Sequence, residues 1–182
     1  MEVCLRLLTA APRTRAQLDQ ALQRRGVPQH AADAALDRLA GAGLVDDAAF
    51  ARAWVDTRHR GRGLARRALT AELRQRGVDE GEVRAAVADV GPEQEAAAAR
   101  RLVEAKLAAT RGLPMATRMR RLTGLLARKG YPAGMAYRVI REALEQEGID
   151  PAKAGLEMED VLDADAAGDP DLDSEPGVDP GD

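Results

Sequence analysis

The chain has 182 residues, 45% of them apolar and only 2% aromatic, a length that suits one ordinary domain or a few small ones. With so few aromatic rings, alanine and leucine must fill most of any core, which favours small helical bundles over sandwiches or barrels built from β-branched and aromatic residues. The net charge of −3 conceals a division: 11 of the 30 acidic residues fall in 157–182, a stretch without Lys or Arg, leaving 27 bases against 19 acids, or +8, in 1–156.

A basic body with an acidic end suggests an anionic partner. The single cysteine, Cys4, permits no internal disulfide and no cysteine metal cluster, which is consistent with a reducing compartment. Its place between Val3 and Leu5 reads as a small buried apolar residue. Apolar runs are too short for a membrane span, and Met1-Glu2 begins with an acid rather than a basic leader, so no membrane is expected and the location expected is the cytoplasm.

The first predicted helix covers 2–10. After Pro12, Thr14 is the expected N-cap of a second helix ending at Gly26, and a third over 29–40 uses Ala32, Leu36 and Leu39 as its apolar stripe. A second unit starts with a helix capped by Asp46 or Asp47, whose Phe50, Ala51, Trp54 and Val55 form a core-facing stripe, with Phe50 and Trp54 expected together in the core. Residues 58–63, Arg-His-Arg-Gly-Arg-Gly, are expected to break this helix into an exposed basic turn, because the glycines raise the ordering entropy and the basic side chains resist burial. A helix over 65–76 then turns Leu69 and Leu73 inward and Arg67 and Arg74 to the opposite side, and another covers 79–90 before Gly91-Pro92. The third unit begins at Glu93, breaks at Gly112-Leu113-Pro114, resumes from Thr117 to Gly130 and ends with a helix over 132–147.

These units are copies of one plan. When Gly26, Gly77 and Gly130 are aligned, leucine stands eight residues earlier (Leu18, Leu69, Leu122) and four earlier (Leu22, Leu73, Leu126), and a bulky aliphatic stands ten later (Leu36, Val87, Ile140). The spacings of 51 and 53 residues fit a long helical repeat. Each glycine is expected to end a middle helix in the left-handed conformation, with Val27, Val78 or Tyr131 covering the turn and Arg25, Arg76 or Lys129 complementing the helix dipole. The expected fold class is therefore all-α, three tandem three-helix repeats (2–43, 44–91 and 92–148) forming an elongated, curved body. Residues 155–182 are rich in Asp, Glu, Gly, Pro and Ala, cannot offset their ordering entropy, and are expected to be a disordered acidic tail.

No catalytic constellation is present in the pattern. His30 and His59 stand apart from any Ser or Cys nucleophile motif, and Gly61-Arg62-Gly63 lacks the third glycine and preceding strand of a phosphate loop. Asp46-Asp47 reads as a helix cap, since no second set of oxygen ligands sits at a loop spacing, so neither metal nor cofactor is expected. The remaining signal is basic: Arg58, Arg60, Arg62, Arg66, Arg67 and Arg74 in the second unit, and Arg118, Arg120, Arg121 and Arg128 in the third. Arg67 and Arg120 share a repeat position, ten before the glycine. Arginine's bidentate fork suits phosphate, whereas the shortage of aromatics argues against base stacking as the main mode. The residues carried forward as a nucleic-acid or filament interface are Arg58, Arg60, Arg62, Arg66, Arg67, Arg74, Arg120 and Arg121; a solvated helix face is the competing account.

The segments Gly43-Leu44-Val45-Asp46-Asp47 with Phe50-Ala51, Arg60-Gly61 with Gly63, and Glu72-Leu73 with Arg76-Gly77-Val78 resemble the RecX family of recombination regulators. Arg13-Thr14-Arg15-Ala16-Gln17-Leu18 is similar to that family's Arg-Ser-Arg-x-Glu-Leu segment. The likeness covers 2–148, with two departures: Leu64 replaces the common proline and Gln17 the usual acid. It implies a non-enzymatic monomer that binds the RecA recombinase, lodges in the groove of its filament on single-stranded DNA, and restrains strand exchange, ATP hydrolysis and co-protease activity. Double-stranded DNA is a second candidate ligand. Two further readings stand beside it: a helical-repeat protein that binds nucleic acid directly, and a protein-interaction scaffold whose arginines meet acidic surfaces.

Overall fold

A computed structural model describes residues 1–149, and the acidic tail expected at 155–182 lies outside the described residues. Every regular element among them is helical: α1 (Glu2–Ala10), α2 (Arg15–Gln23), α3 (Gln29–Gly41), α4 (Asp47–Arg62), α5 (Arg66–Gln75), α6 (Glu80–Ala86), α7 (Pro92–Leu107), α8 (Met115–Arg128) and α9 (Ala133–Gln146), with a short 3₁₀ turn at Ala108–Thr110 after α7. They group in threes. Two compact units divide the chain, one covering Met1–Ala98 and the other starting at Ala99, within α7.

The expected leucine pairs form the cores. Leu18 and Leu22 pack with Cys4, Ala32, Leu36, Leu39 and Val45, and Leu69 and Leu73 pack with Ala51, Val55, Leu64, Val83 and Val87. In the unit that starts at Ala99, Leu122 and Leu126 are buried, as are Val103, Tyr131, Val139, Ile140 and Leu144. Each aligned glycine has a positive φ: 72° at Gly26, 75° at Gly77 and 87° at Gly130. At Gly77 the amide donates to the Arg74 carbonyl at 2.9 Å while the Val78 amide reaches back to Leu73 at 3.2 Å, the paired bonds that satisfy the last carbonyls of a helix ended by a left-handed residue. This glycine is fixed twice over, because a Cβ there would stand 2.3 Å from that of Ala16.

That close approach marks where α2 meets the end of α5. Thr14 is fully buried, and its hydroxyl accepts from the Gln17 amide at 3.2 Å while donating to the Arg76 carbonyl at 2.7 Å. Gln17 in turn accepts from the Thr14 amide at 3.1 Å, so the amide side chain completes the reciprocal cap that an acid usually provides. Asp46 caps α4 through the Ala49 amide at 2.8 Å, and its neighbour Asp47 accepts from the Arg15 backbone at 2.8 Å. Leu64, standing for the common proline, is buried in the core beside α4.

Three expectations need correction. Residues 58–62 do not break the helix: α4 continues to Arg62, Gly61 lies inside it, and Gly63 ends it at φ 63°. Asp56 pairs with Arg60 one turn on at 2.8 Å, and Arg60 and Arg62 occupy the last turn, where cations complement the dipole and offset a helical glycine's cost of about 1 kcal/mol. The predicted helix over 79–90 is shorter, ending at Ala86 and followed by turns closed from Ala88 to Ala85 and from Val90 to Val87. Finally, Phe50 and Trp54 are stacked with centroids 5.7 Å apart, yet both are only half-buried and pack against the core instead of lying within it.

Candidate nucleic-acid interface

Six of the eight candidate arginines sit on α4 and α5. Arg60, Arg62, Arg66 and Arg67 are exposed, Arg60 paired to Asp56 and the side chains of the other three without an ion pair or hydrogen bond among the described residues. The helix-turn between α4 and α5 therefore presents Arg62, Arg66 and Arg67 to solvent. The start of α5 has only Ala65 as its cap residue, and Glu95 supplies the missing acceptor to the Arg66 amide at 2.8 Å. This carboxylate fixes the backbone that carries Arg66 and Arg67.

Arg58 and Arg74 are already engaged. Arg74 donates from two nitrogens to Glu80, at 2.8 and 2.6 Å, and those bonds raise its pKa further while lowering that of Glu80. The pair is exposed and adds little to stability, although it takes Arg74 away from the free set. Arg58 turns inward, with its Cζ 4.3 Å from the centre of the Trp54 ring and its Nε 3.8 Å from a Glu72 carboxylate oxygen. Arg76 places its Cζ 3.7 Å from the same ring centre, and the indole N–H donates to Glu72 at 2.7 Å. Two helices bring a pair spaced by four to this cluster: Trp54 and Arg58 from α4, Glu72 from α5 and Arg76 from the cap that ends α5. Burial above all, with repulsion from Arg58 and Arg13, pulls the Arg76 pKa below its ordinary value, against the attraction of Glu72.

Arg76 and Arg13 escaped the sequence reading as site residues. Arg76 had an adequate explanation as a dipole partner, and Arg13 lies outside any periodic helix. Their signal was the spacing of four between Glu72 and Arg76 and the position of Arg13 just before a buried cap.

On α8, in the third repeat, Arg120 and Arg121 are exposed without a side-chain partner among the described residues. Arg118, grouped with them from the sequence, is buried, with Nε donating to the Thr110 hydroxyl at 2.9 Å and the guanidinium paired to Glu147. Glu147 also accepts from Arg111 at 2.8 Å. The repeat register held a warning, since twelve residues before each aligned glycine stand Thr14, Ala65 and Arg118, all buried. Among the described residues no three His, Cys, Asp or Glu gather as metal ligands, and no helix is long and apolar enough to cross a membrane.

Comparison with known proteins agrees with the repeat plan. The family model for the second three-helix domain of RecX matches residues 46–87, that for the first matches 1–39, and that for the third matches 93–140. The chain belongs to the RecX family. It is 65% identical over 148 residues to the regulatory protein RecX of Thermobifida fusca, covering 81% of this chain and 80% of that relative. Identity to the regulatory protein RecX of Streptomyces coelicolor is 56% over 155 residues, covering 85% of this chain and 82% of the other. A crystal structure of regulatory protein RecX superposes with a TM-score of 0.65 at 25% identity, covering 76% of this chain and 68% of that one. A second, of RecX from Lactobacillus salivarius, gives 0.66 at 17% identity over 76% and 90%, a likeness of fold.

Proposed function

We propose that this chain is a non-enzymatic regulator that binds the RecA recombinase and its filament on single-stranded DNA. It mainly inhibits strand exchange, ATP hydrolysis and co-protease activity, in DNA repair, homologous recombination and the SOS response. The observation that carries this reading is the 65% identity to a regulatory protein RecX across 81% of the chain. RecA enters through the family, and DNA enters through the surface. Arg62, Arg66, Arg67, Arg120 and Arg121 are solvated guanidiniums without partners among the described residues, so no existing pair is broken when they meet a phosphate. Arg60 joins them by leaving the exposed Asp56, Arg74 joins only by leaving Glu80, and Arg58 contributes from its place over Trp54. In this reading the working units are the repeats 2–43, 44–91 and 92–148, acting as a cytoplasmic monomer without cofactor, and double-stranded DNA is the weaker ligand.

The deciding measurement is ATP hydrolysis by RecA on single-stranded DNA as this protein is titrated in. The expected result is a rate that falls with the ratio of this protein to RecA. An unchanged rate, with this protein shown to bind the same DNA alone, would replace the proposal by direct nucleic-acid binding without RecA.

A further inference from the structure

Three arginines converge at the place where the start of α2 meets the end of α5. Thr14 anchors the meeting through its bond to the Arg76 carbonyl at 2.7 Å, which brings Arg13, one residue earlier, close enough for its charge to repel that of Arg76. Arg58 and Arg76 lie over the Trp54 ring at 4.3 and 3.7 Å. One carboxylate, Glu72, faces the group, and one of its oxygens already accepts the indole N–H at 2.7 Å. Three guanidiniums against one carboxylate leave two positive charges uncompensated. Among the described residues none of the three guanidiniums donates a hydrogen bond, and the Nε of Arg13 is out of contact with water and without an acceptor. An unfilled set of charged donors in a partly desolvated place is costly, and that cost is recovered when an anion arrives.

We propose that Arg58 and Arg76, held over Trp54, together with Arg13 beside Arg76, form a phosphate seat that takes one backbone phosphate of a nucleic-acid strand. Several features favour phosphate. Its non-bridging oxygens can accept from more than one guanidinium fork at once, which suits three converging arginines better than a lone planar carboxylate does. Held over the indole, Arg58 and Arg76 have already lost much of their rotamer freedom, so less entropy is lost on binding than at a fully solvated arginine. Two guanidiniums and Phe50 already lie against the Trp54 ring, so it serves as a platform for them and base stacking is not its task. All three arginines keep part of their surface in solvent, which leaves the forks reachable. The seat deepens the DNA-binding part of the proposed function and rests on it for the strand as the source of the phosphate.

Trp54 is the chain's one tryptophan, so its emission reports on this cluster alone. The full-length protein is titrated with a labelled single-stranded oligodeoxynucleotide, with inorganic phosphate, and with a polyglutamate peptide, while Trp54 emission and the label's anisotropy are followed. A saturable change in Trp54 emission that tracks oligonucleotide binding is the expected result. Arg13→Gln and Arg76→Gln, checked for unchanged helicity, should each abolish the emission change and lower affinity about tenfold, in keeping with the loss of one charge-assisted contact. Each should also flatten the slope of log affinity against log salt by about 0.7. A response to inorganic phosphate alone supports the seat and identifies free phosphate as its source. Oligonucleotide binding with silent Trp54 emission and parental slopes in both variants overturns the seat while leaving Arg62, Arg66 and Arg67 as the DNA contacts. A response to polyglutamate only overturns it in favour of an acidic protein partner.

Discussion

Removing the Glu147 carboxylate should cost this protein more than removing the arginine it holds. Arg118 keeps 5% of its side chain exposed and Glu147 13%, so Glu147→Ala strands a buried guanidinium with a single remaining acceptor, Thr110. Breaking a buried pair from one side costs about 3–5 kcal/mol, and because Thr110 still accepts and the exposed Arg111 can turn to water, the low end of about 3 kcal/mol applies. For a domain of this size that is a fall of roughly 12–24 °C in the melting temperature. Arg118→Met removes the charge and fills the space, while Glu147 keeps Arg111 and its access to water, so about 1 kcal/mol or less is expected. The pair also sets a pH dependence. Hydrogen bonds first from Arg118 and then from Arg111 hold the Glu147 pKa below its ordinary 4.5, so its contribution is complete above that value and drains away as pH falls through the lowered folded value. Thermal unfolding followed by circular dichroism across this range provides the assay. Equal losses in the two variants, or a Glu147→Ala melting temperature within about 2 °C of the parent, would refute the assignment of Arg118 to a buried ion pair.

Three further outcomes follow from the same contacts. Gly77→Ala should destabilise by more than about 3 kcal/mol, because the positive φ is compounded by a collision with Ala16, whereas Gly26→Ala, with open space around it, should cost about 1 kcal/mol; denaturant unfolding of both that gave equal losses would remove the close approach from the account. Removing 155–182, which deletes all 11 acids of the basic-free stretch, should tighten oligonucleotide binding at low salt and leave helicity intact, and equal affinities would assign those acids to solubility. Arg67→Glu should weaken DNA binding with no change in melting temperature, whereas Arg74→Glu should also lower the melting temperature slightly by setting like charges against each other at Glu80; identical behaviour in both assays would show that the Arg74 pairing is immaterial.

The fold was legible because its core obeys a period. Leu18 and Leu22, Leu69 and Leu73, Leu122 and Leu126 must share a buried face wherever a helix forms, and the glycines that stop those helices need no partner to take a positive φ. The basic stretch at 58–62 was misread for the opposite reason. Gly61 weighs against a helix locally, but Asp56 with Arg60 and cations at the dipole's negative end outweigh it, and Gly63 supplies the left-handed stop one residue after the helix ends at Arg62. Trp54 was assigned to the core by its stripe alone. Periodicity fixes the side of a helix a residue occupies, not whether guanidiniums from that helix and the next will cover it.

The arginines show most plainly where a sequence stops speaking. Of the 27 basic residues, 24 are arginine, and composition treats them as one solvated class. Their surroundings separate them into those buried against a carboxylate, as Arg118 is; those held over a ring with charge to spare, as Arg58 and Arg76 are; and those left in water, as Arg62, Arg66, Arg67, Arg120 and Arg121 are. The same guanidinium contributes differently in each place. A buried one is fixed by its partner and lost to any ligand, and a solvated one binds phosphate weakly and with strong salt dependence. A guanidinium already desolvated and ordered beside like charges loses least when an anion reaches it. Affinity for a strand should therefore be concentrated at the half-buried arginines beside Trp54, with the solvated ones supplying attraction at longer range. Neutralising Arg13 or Arg76 should then speed dissociation, whereas Arg67→Glu should slow association, and a stopped-flow measurement that found both effects in the same rate constant would contradict this division of labour.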